Sequence, residues 1–133
     1  GRFAIAAWTP EGLNGQMFKL LGSHMPPPPE GLQSPLLWGT DDHLEFLFAE
    51  AGSQLEIERH EVEVKAESAT AWVDYGERVL GPMLMAKALL EPQGKWQAAR
   101  TELLDLYERN NDATDGTMSC RAEYLIASCT LPA

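Results

Sequence analysis

A short apolar run at residues 3–8, followed at once by Thr9-Pro10-Glu11-Gly12, constrains the fold more than any other feature. Its apolar residues are consecutive rather than alternate, which is typical of a strand with both faces covered. Such strands belong to parallel sheets with helices on either side, so the run predicts an α/β protein. The remaining sequence offers few strands to flank this one. We therefore expect residues 1–133 to be the C-terminal half of a larger domain.

Charge and cysteine content exclude several functional classes. The net charge of −10 argues against nucleic acid and anionic membranes as partners, because binding phosphates requires clustered Lys and Arg. No run of apolar residues reaches the roughly 18 that a membrane span needs. Cys120 and Cys129 lie in one predicted strand at opposite parity, so they point to opposite faces and cannot pair. Two unpaired thiols favour a cytoplasmic location.

Helix-start signals divide the chain into segments. Thr9 is predicted to cap a first helix with Pro10 at its first position, ending near Gly22. Gly12 and Gly15 weaken that helix unless a ligand or the sheet approaches closely there. A proline run at residues 26–29 predicts a stiff surface connection in extended polyproline conformation, or alternatively a linker or partner motif.

Later signals predict four more helices. Thr40 caps the second helix, which carries an apolar stripe and ends at Gly52. Ser68 caps the third, Gly81-Pro82 starts the fourth, and the last runs from about Trp96 to Asn110. The stripe of the second helix comprises Leu44, Leu47, Phe48 and Ala51.

Two further strands are predicted at residues 55–66 and 118–131. In the first of these, Leu55 and Ile57 have one parity, whereas Val62 and Val64 have the other. A bulge of one residue near Arg59-His60 would bring both pairs to one face. The second strand is apolar on both sides in its later part, which predicts a central position in the sheet.

These segments resemble a known family. The pieces Trp8-Thr9-Pro10-Glu11-Gly12, Ser34-Pro35, Leu37-Trp38-Gly39-Thr40 and Ala122-Glu123-Tyr124-Leu125, with the proline run, resemble the C-terminal half of class I S-adenosylmethionine-dependent methyltransferases. The nearest branch is the type-11 group, related to ubiquinone and menaquinone methyltransferases. The resemblance extends over essentially the whole chain, although none of these pieces is a catalytic signature.

The resemblance implies a fold and a division of labour. It makes the three strands the fifth, sixth and seventh of a Rossmann-like sheet, in the spatial order five, seven, six, within a three-layer α/β architecture. The chain lacks the glycine-rich turn that holds S-adenosylmethionine, so the cofactor is expected in the parent protein and not on this chain alone. This half would bind a small-molecule acceptor, and the missing N-terminal half would hold the methyl donor.

Six residues are candidates for acceptor contacts. Trp8 ends the first strand, where open α/β sheets place ligands, and is equally well interpreted as a core aromatic. Glu11 is more simply a helix-start charge, and Trp38 a loop anchor. His24 is a candidate base by residue type, as is His43. The aromatic pair Trp72 and Tyr75, with Met83 and Met85, would form an adaptable pocket wall or belong to the core.

Two hypotheses remain at this stage. The first is the substrate-side half of a methyltransferase, inactive alone. The second is a small-ligand-binding or protein-interaction module with no catalytic role. In either case the partner is expected to be a missing half or a second copy of the chain, because the edge of the first strand would be open. A discrete dimer is the predicted form, since the net charge opposes large aggregates.

Overall fold

The computed structural model describes residues 1–49 and 54–132, and within them three strands and five α-helices form a mixed α/β fold. The strands are β1 (Arg2–Trp8), β2 (Gln54–Ala66) and β3 (Met118–Thr130). The helices are α1 (Leu13–His24), α2 (Asp41–Phe48), α3 (Ala69–Val79), α4 (Gly81–Leu90) and α5 (Trp96–Arg109). Short 3-10 turns occupy Pro35–Gly39 and Glu91–Gln93. Among the described helices, none is long and apolar enough to cross a membrane.

The sheet has the order β1-β3-β2, and β3 is antiparallel to both neighbours. The predicted central position of the last strand is therefore confirmed. The parallel sheet suggested by the apolar run at residues 3–8 is wrong for the described strands. β1 and β2 do point the same way, but they do not pair, because β3 lies between them and runs in the opposite direction.

Cross-strand partners share a face, so the even-numbered residues of all three strands form one face of the sheet and the odd-numbered residues form the other. On β1 only the odd face is partly buried, and Ala4, Ala6 and Trp8 on the even face are exposed. The expectation that β1 is covered on both faces is therefore wrong. Alanines account for two of these three positions, and their small side chains lose little by remaining in water.

The predicted bulge at Arg59-His60 is also wrong. The β2–β3 ladder is continuous from Gln54, opposite Thr130, to Ala66, opposite Met118. The change of parity has a different cause, because the two halves of β2 bury opposite faces. Leu55 and Ile57 pack in a small core with Leu44 of α2, whereas the residues near the end of the strand pack against a larger core on the even face.

That larger core gathers α1, α3, α4 and α5 over one end of the sheet. Its fully buried side chains include Val73, Met83, Leu103 and Leu106, which pack with Cys120 and Ala122 of β3. Helices therefore cover both faces, α2 on the odd face and the other four on the even face. Cys120 and Cys129 are buried and free on opposite faces, as predicted.

Local capping signals hold for the later helices. Ser68 accepts a hydrogen bond from the Ala71 amide at 3.0 Å and begins α3. Pro82 lies in the first turn of α4, where a missing amide hydrogen costs nothing. Thr40 is the N-cap residue of α2, but its hydroxyl donates to the Leu37 carbonyl instead of capping the helix. The predicted end of α2 at Gly52 and the stripe residue Ala51 lie outside the described residues.

The start of α1 differs from the prediction. Its N-cap is Gly12, three residues after Thr9, so Thr9 is not the cap, and Glu11 lies in the turn before the helix. The reason is that the Thr9 hydroxyl donates to the carboxylate of Glu123 at 2.7 Å and is not available to cap. The helix also extends past Gly22 to His24.

One carboxylate joins three helices of the larger core. Glu77 of α3 accepts hydrogen bonds from Lys87 of α4 at 3.0 Å and from Trp96 and Arg100 of α5 at 3.0 and 2.8 Å. Burial by itself raises the pKa of Glu77, but these donors outweigh it, and the pKa lies below its usual value. The Glu77 carboxylate is therefore ionised and fully engaged near neutral pH.

Candidate functional site

The candidate site consists of two concave surfaces and the carboxyl end of β1. The carboxyl end of β1 packs against the 3-10 turn at Pro35–Gly39 and against the start of α1. A side chain at Gly39 would overlap the Trp8 carbonyl, and one at Gly15 would overlap the Thr9 carbonyl. Glycine at these two positions lets the 3-10 turn and α1 lie directly on the strand end. The predicted close approach at Gly15 is thus an approach of the chain itself.

Thr9 and Glu123 make a fixed polar pair at this strand end. Thr9 is 1% exposed, its amide donates to the Glu123 carbonyl at 3.3 Å, and its hydroxyl donates to the Glu123 carboxylate. Gly12 leaves room for this arrangement, since a Cβ there would lie 2.9 Å from the Thr9 hydroxyl oxygen. These hydrogen bonds join the end of β1 to β3 at the point where the chain leaves the sheet.

The first concave surface contains a row of rings across the even face. Trp8 of β1 and His60 of β2 both lie opposite Tyr124 of β3 in the strand register. The rings of Trp8 and Tyr124 are 6.0 Å apart at 84°, and those of His60 and Tyr124 are 5.7 Å apart at 31°. We call these three residues the aromatic row. Beside it lies a cavity of about 400 Å³ lined by Ala6, Ala7, Trp8, Val62 and Tyr124.

The second concave surface is a larger cleft between α1, the proline run and the start of α4. Its volume is about 540 Å³ and its lining is mainly apolar. We call it the proline cleft; its main lining residues are Phe18, Leu21, Met25, Pro26, Pro28, Leu32, Pro35, Pro82 and Met85. Prolines in one wall make that wall stiff, since the ring removes backbone freedom. The cleft is therefore suited to a small apolar molecule.

Trp8 and Met85, two residues that the sequence analysis considered as pocket contacts, line these surfaces. Trp8 lines the smaller cavity and is 38% exposed. Met85 lines the proline cleft, whereas Met83 is completely buried beneath it in the larger core. The interpretation of Met83 as a pocket wall is therefore replaced by its core role, in contact with Gly76 of α3.

The other candidates are dispersed over the described surface. His24 interacts with Glu102 of α5 at 2.7 Å, which ties the end of α1 to α5. Glu11 is exposed, and its backbone carbonyl accepts from Gln16 at 2.8 Å. Trp38, 42% exposed, contacts His43 edge to face at 5.9 Å. None of these three lines either concave surface.

Trp72 and Tyr75 are in ring contact at 5.8 Å, the one such contact among the six candidates in the described part of the chain. Trp72 also lies edge-on to Tyr107 at 6.3 Å, and its buried indole nitrogen finds no hydrogen-bond acceptor in the described residues. Burial raises the pKa of Tyr107 to about 12, and the neighbouring Trp72 indole only partly offsets it. Trp72 packs against the larger core, whereas Tyr75 is 48% exposed, and neither lines either concave surface.

Tyr124 and Val62 line the smaller cavity, and sequence patterns did not single them out as contacts. Tyr124 lies in the predicted central strand, where an aromatic residue is expected to be core. The signal that would have found it is the strand register, because Trp8 and His60 can meet only through the strand between them. Register depends on pairing partners and is not legible in any one strand.

Metal chemistry and family membership have no support in these observations. Among residues 1–49 and 54–132, no group of three or more His, Cys, Asp or Glu side chains is arranged to hold a metal ion. The sequence matches no protein-family model. No curated protein matches it in sequence at a significant level.

Proposed function

We propose that this chain is the acceptor-binding part of an S-adenosylmethionine-dependent methyltransferase that acts on a small apolar molecule. The observation that carries the proposal is the strand order, with β3 running antiparallel between two strands that point the same way. The motif resemblance implies this order of strands five, seven and six. The observed order agrees with the order that the resemblance implies, and this agreement supports the proposal.

The position of the proline cleft supports the second part of the proposal. Its walls come from the segments after β1 and from α4, between β2 and β3. In the resembled family, these same segments form the acceptor side. The cleft is mainly apolar and is built from rigid prolines and two flexible methionines, Met25 and Met85, which can adjust to the shape of a ligand.

This chain does not fit S-adenosylmethionine at its strand-to-helix turn. Atoms of Thr9 and Glu123 fill the space beside Gly12, and backbone atoms of Thr9 and Pro10 fill the space beside Gly15. A cradle for the methionine end of the cofactor needs that space to be open. The part of the activity that we assign to this chain is to bind the acceptor, orient it and exclude water from it.

The test is transfer of a radiolabelled methyl group from S-adenosylmethionine to a panel of small apolar phenols, thiols and amines. It is carried out with the full gene product and, in parallel, with the 133-residue chain. We expect transfer by the full gene product and none by the chain alone. No transfer to any acceptor by the full product would contradict the proposal, and transfer by the 133 residues alone would contradict the division of labour.

A pair of variants locates the acceptor. Met85→Glu places a charge in the proline cleft and is expected to raise the acceptor KM about tenfold or more, because an unpaired carboxylate is costly beside an apolar ligand. Leu84→Glu is the control, since Leu84 is the preceding residue on α4, is 46% exposed and does not line the cleft. Equal effects of the two variants would show that the cleft is not the acceptor site.

A second candidate function is favoured by one observation, that the proline cleft is complete within this chain. A small-ligand-binding module without catalytic role would need nothing more. The two functions are separated by the methyl-transfer assay. Ligand binding in the cleft by the full gene product, sensitive to Met85→Glu, with no methyl transfer to any bound compound, would favour the binding module.

A further inference from the structure

We propose that the aromatic row is a binding site for a small alkylated ammonium ion. This site is separate from the proline cleft, and the inference does not depend on the proposed function. Its basis is the arrangement of Trp8, Tyr124 and His60 on the part of the sheet that no described helix covers.

The ring geometry matches what an organic cation requires. Trp8 and Tyr124 meet edge to face at 84°, so the two nearly perpendicular rings bound a corner. A cation in that corner contacts the face of the ring that presents its edge, and aromatic faces carry partial negative charge. The neighbours of Trp8 on the strand are small, and Trp8 is 38% exposed, so its ring is accessible from solvent.

The surroundings of the corner supply shape and apolar contact. The adjoining cavity of about 400 Å³ is lined by Ala6 and Val62 in addition to the two rings. The small side chain of Ala6 leaves the cavity space beside the rings unfilled. Val62, which is 42% exposed, forms a third apolar side of the cavity. Methyl groups on an ammonium ion fit this lining, whereas a bare ammonium would lose hydration without hydrogen-bond acceptors in exchange.

The charge on this face determines the sign of the ligand. Glu58 lies on the even face, and its carboxylate is 3.3 Å from the His60 ring. Glu56 lies on the same face, two residues further along β2 from the aromatic row than Glu58. Arg59, Lys65 and Arg121 belong to the other face, and Arg2 is on the even face at the opposite end of β1 from Trp8. With a net charge of −10 for the chain, this surface attracts a cation and repels an anion.

The probe is tetramethylammonium, compared with neopentyl alcohol, which has nearly the same branched shape and no charge. Binding to the 133-residue chain is followed by NMR through the indole N–H signals, with the signal of Trp8 assigned from its loss in Trp8→Phe. We expect saturable shifts of the Trp8 signal with the cation, and affinity at least about threefold weaker for the alcohol. Equal affinity for both compounds would overturn the proposal, as would shifts confined to other tryptophans.

Three variants sharpen the test. Trp8→Leu should weaken cation binding about three- to tenfold, and Trp8→Phe should lose less, since a ring face remains. Phe46→Leu is the matched control, because Phe46 is an aromatic residue on α2 that is 77% exposed and away from the row. Unchanged affinity in Trp8→Leu, with a circular dichroism spectrum like that of the unmodified chain, would overturn the proposal.

A second pair tests the charge. Glu58→Gln should weaken tetramethylammonium binding about twofold and leave the alcohol unaffected, because the loss is electrostatic. Glu61→Gln removes the same charge from the opposite face of β2, where Glu61 lies near Arg121 at 3.6 Å. Equal weakening by both changes would show a general effect of net charge rather than a site. If Trp8→Leu fails to fold, this pair and the two probes still decide the outcome.

Discussion

The two ends of the β2–β3 ribbon are stabilised differently. At the end around Met118 to Ala122, four helices bury the even face, and a partly buried carboxylate, Glu77, joins three of them. At the end around Leu125 to Cys129, α2 is the one described helix that covers the odd face, and Leu44 is its one fully buried side chain among those described. No described helix covers the even face there. The buried core is therefore concentrated at one end of the ribbon, and the uncovered sheet surface lies at the other.

Matched core truncations provide the strongest test of this difference. Leu103 and Leu44 are both 0% exposed, one in each core. We expect Leu103→Ala to lower the free energy of unfolding by about 4 kcal/mol and Leu44→Ala by about 2 kcal/mol, because a thinly covered site collapses more easily around the lost atoms. Urea unfolding measures both. An equal or larger cost for Leu44→Ala would break the comparison.

The Glu77 network gives the next largest effect. Glu77→Gln removes charge-assisted hydrogen bonds to Lys87 and Arg100 and should cost about 2 kcal/mol near neutral pH. The pKa of Glu77 is lowered in the folded chain, so its contribution is present above the unfolded pKa and is lost as pH falls through the folded pKa.

The pH dependence provides the check on that assignment. Below its ordinary pKa of 4.5, the unmodified chain should lose stability more steeply than Glu77→Gln, and the two should converge in acid. Glu63→Gln is the control. The pKa of Glu63 is also lowered, chiefly by the Ser119 hydroxyl, but the side chain is 53% exposed. The urea midpoints of the unmodified chain and of both variants are measured from pH 7 downward. If the stability of Glu77→Gln falls with pH in parallel with that of the unmodified chain, the charge of Glu77 does not have this role.

Self-association tests the open end. β1 lies at the edge of the sheet, and its even face exposes Ala4, Ala6 and Trp8. We predict a discrete dimer at high protein concentration, formed through this edge, with the net charge opposing larger assemblies. Light scattering over a concentration series measures it. Ala4→Lys should favour the monomer, whereas Ala88→Lys on exposed α4 should not, and a monomer at all concentrations would contradict the prediction.

Cofactor binding should give the smallest signal. In the turn that follows β1, the space beside Gly12 and Gly15 is filled by the chain itself. We expect no appreciable heat when S-adenosylmethionine is titrated into the 133-residue chain. Micromolar affinity in that titration would show that the turn rearranges, and that the division of labour between this chain and a second part is wrong.

Part of the candidate site could be predicted and part could not. Trp8 was identified from its place at the end of an apolar strand, and it lines a cavity. Its neighbours Tyr124 and His60 come from strands 52 or more residues away in sequence, so only pairing brings them together. The proline run predicted a stiff connection, but the cleft it forms with α4 depends on how the helices pack over the sheet.

Local chemistry in the sequence determined where α3 and α4 begin, because a capping hydroxyl at Ser68 and the Gly81-Pro82 break act within a few residues. The central position of β3 agrees with the sequence prediction, although the predicted cover on both faces is not found around Leu125 to Cys129, where the described helices cover the odd face. The tertiary structure alone decided what the parity change in β2 means. A bulge and a change of covered face leave the same pattern in one strand, and only the helices packed on each face distinguish them.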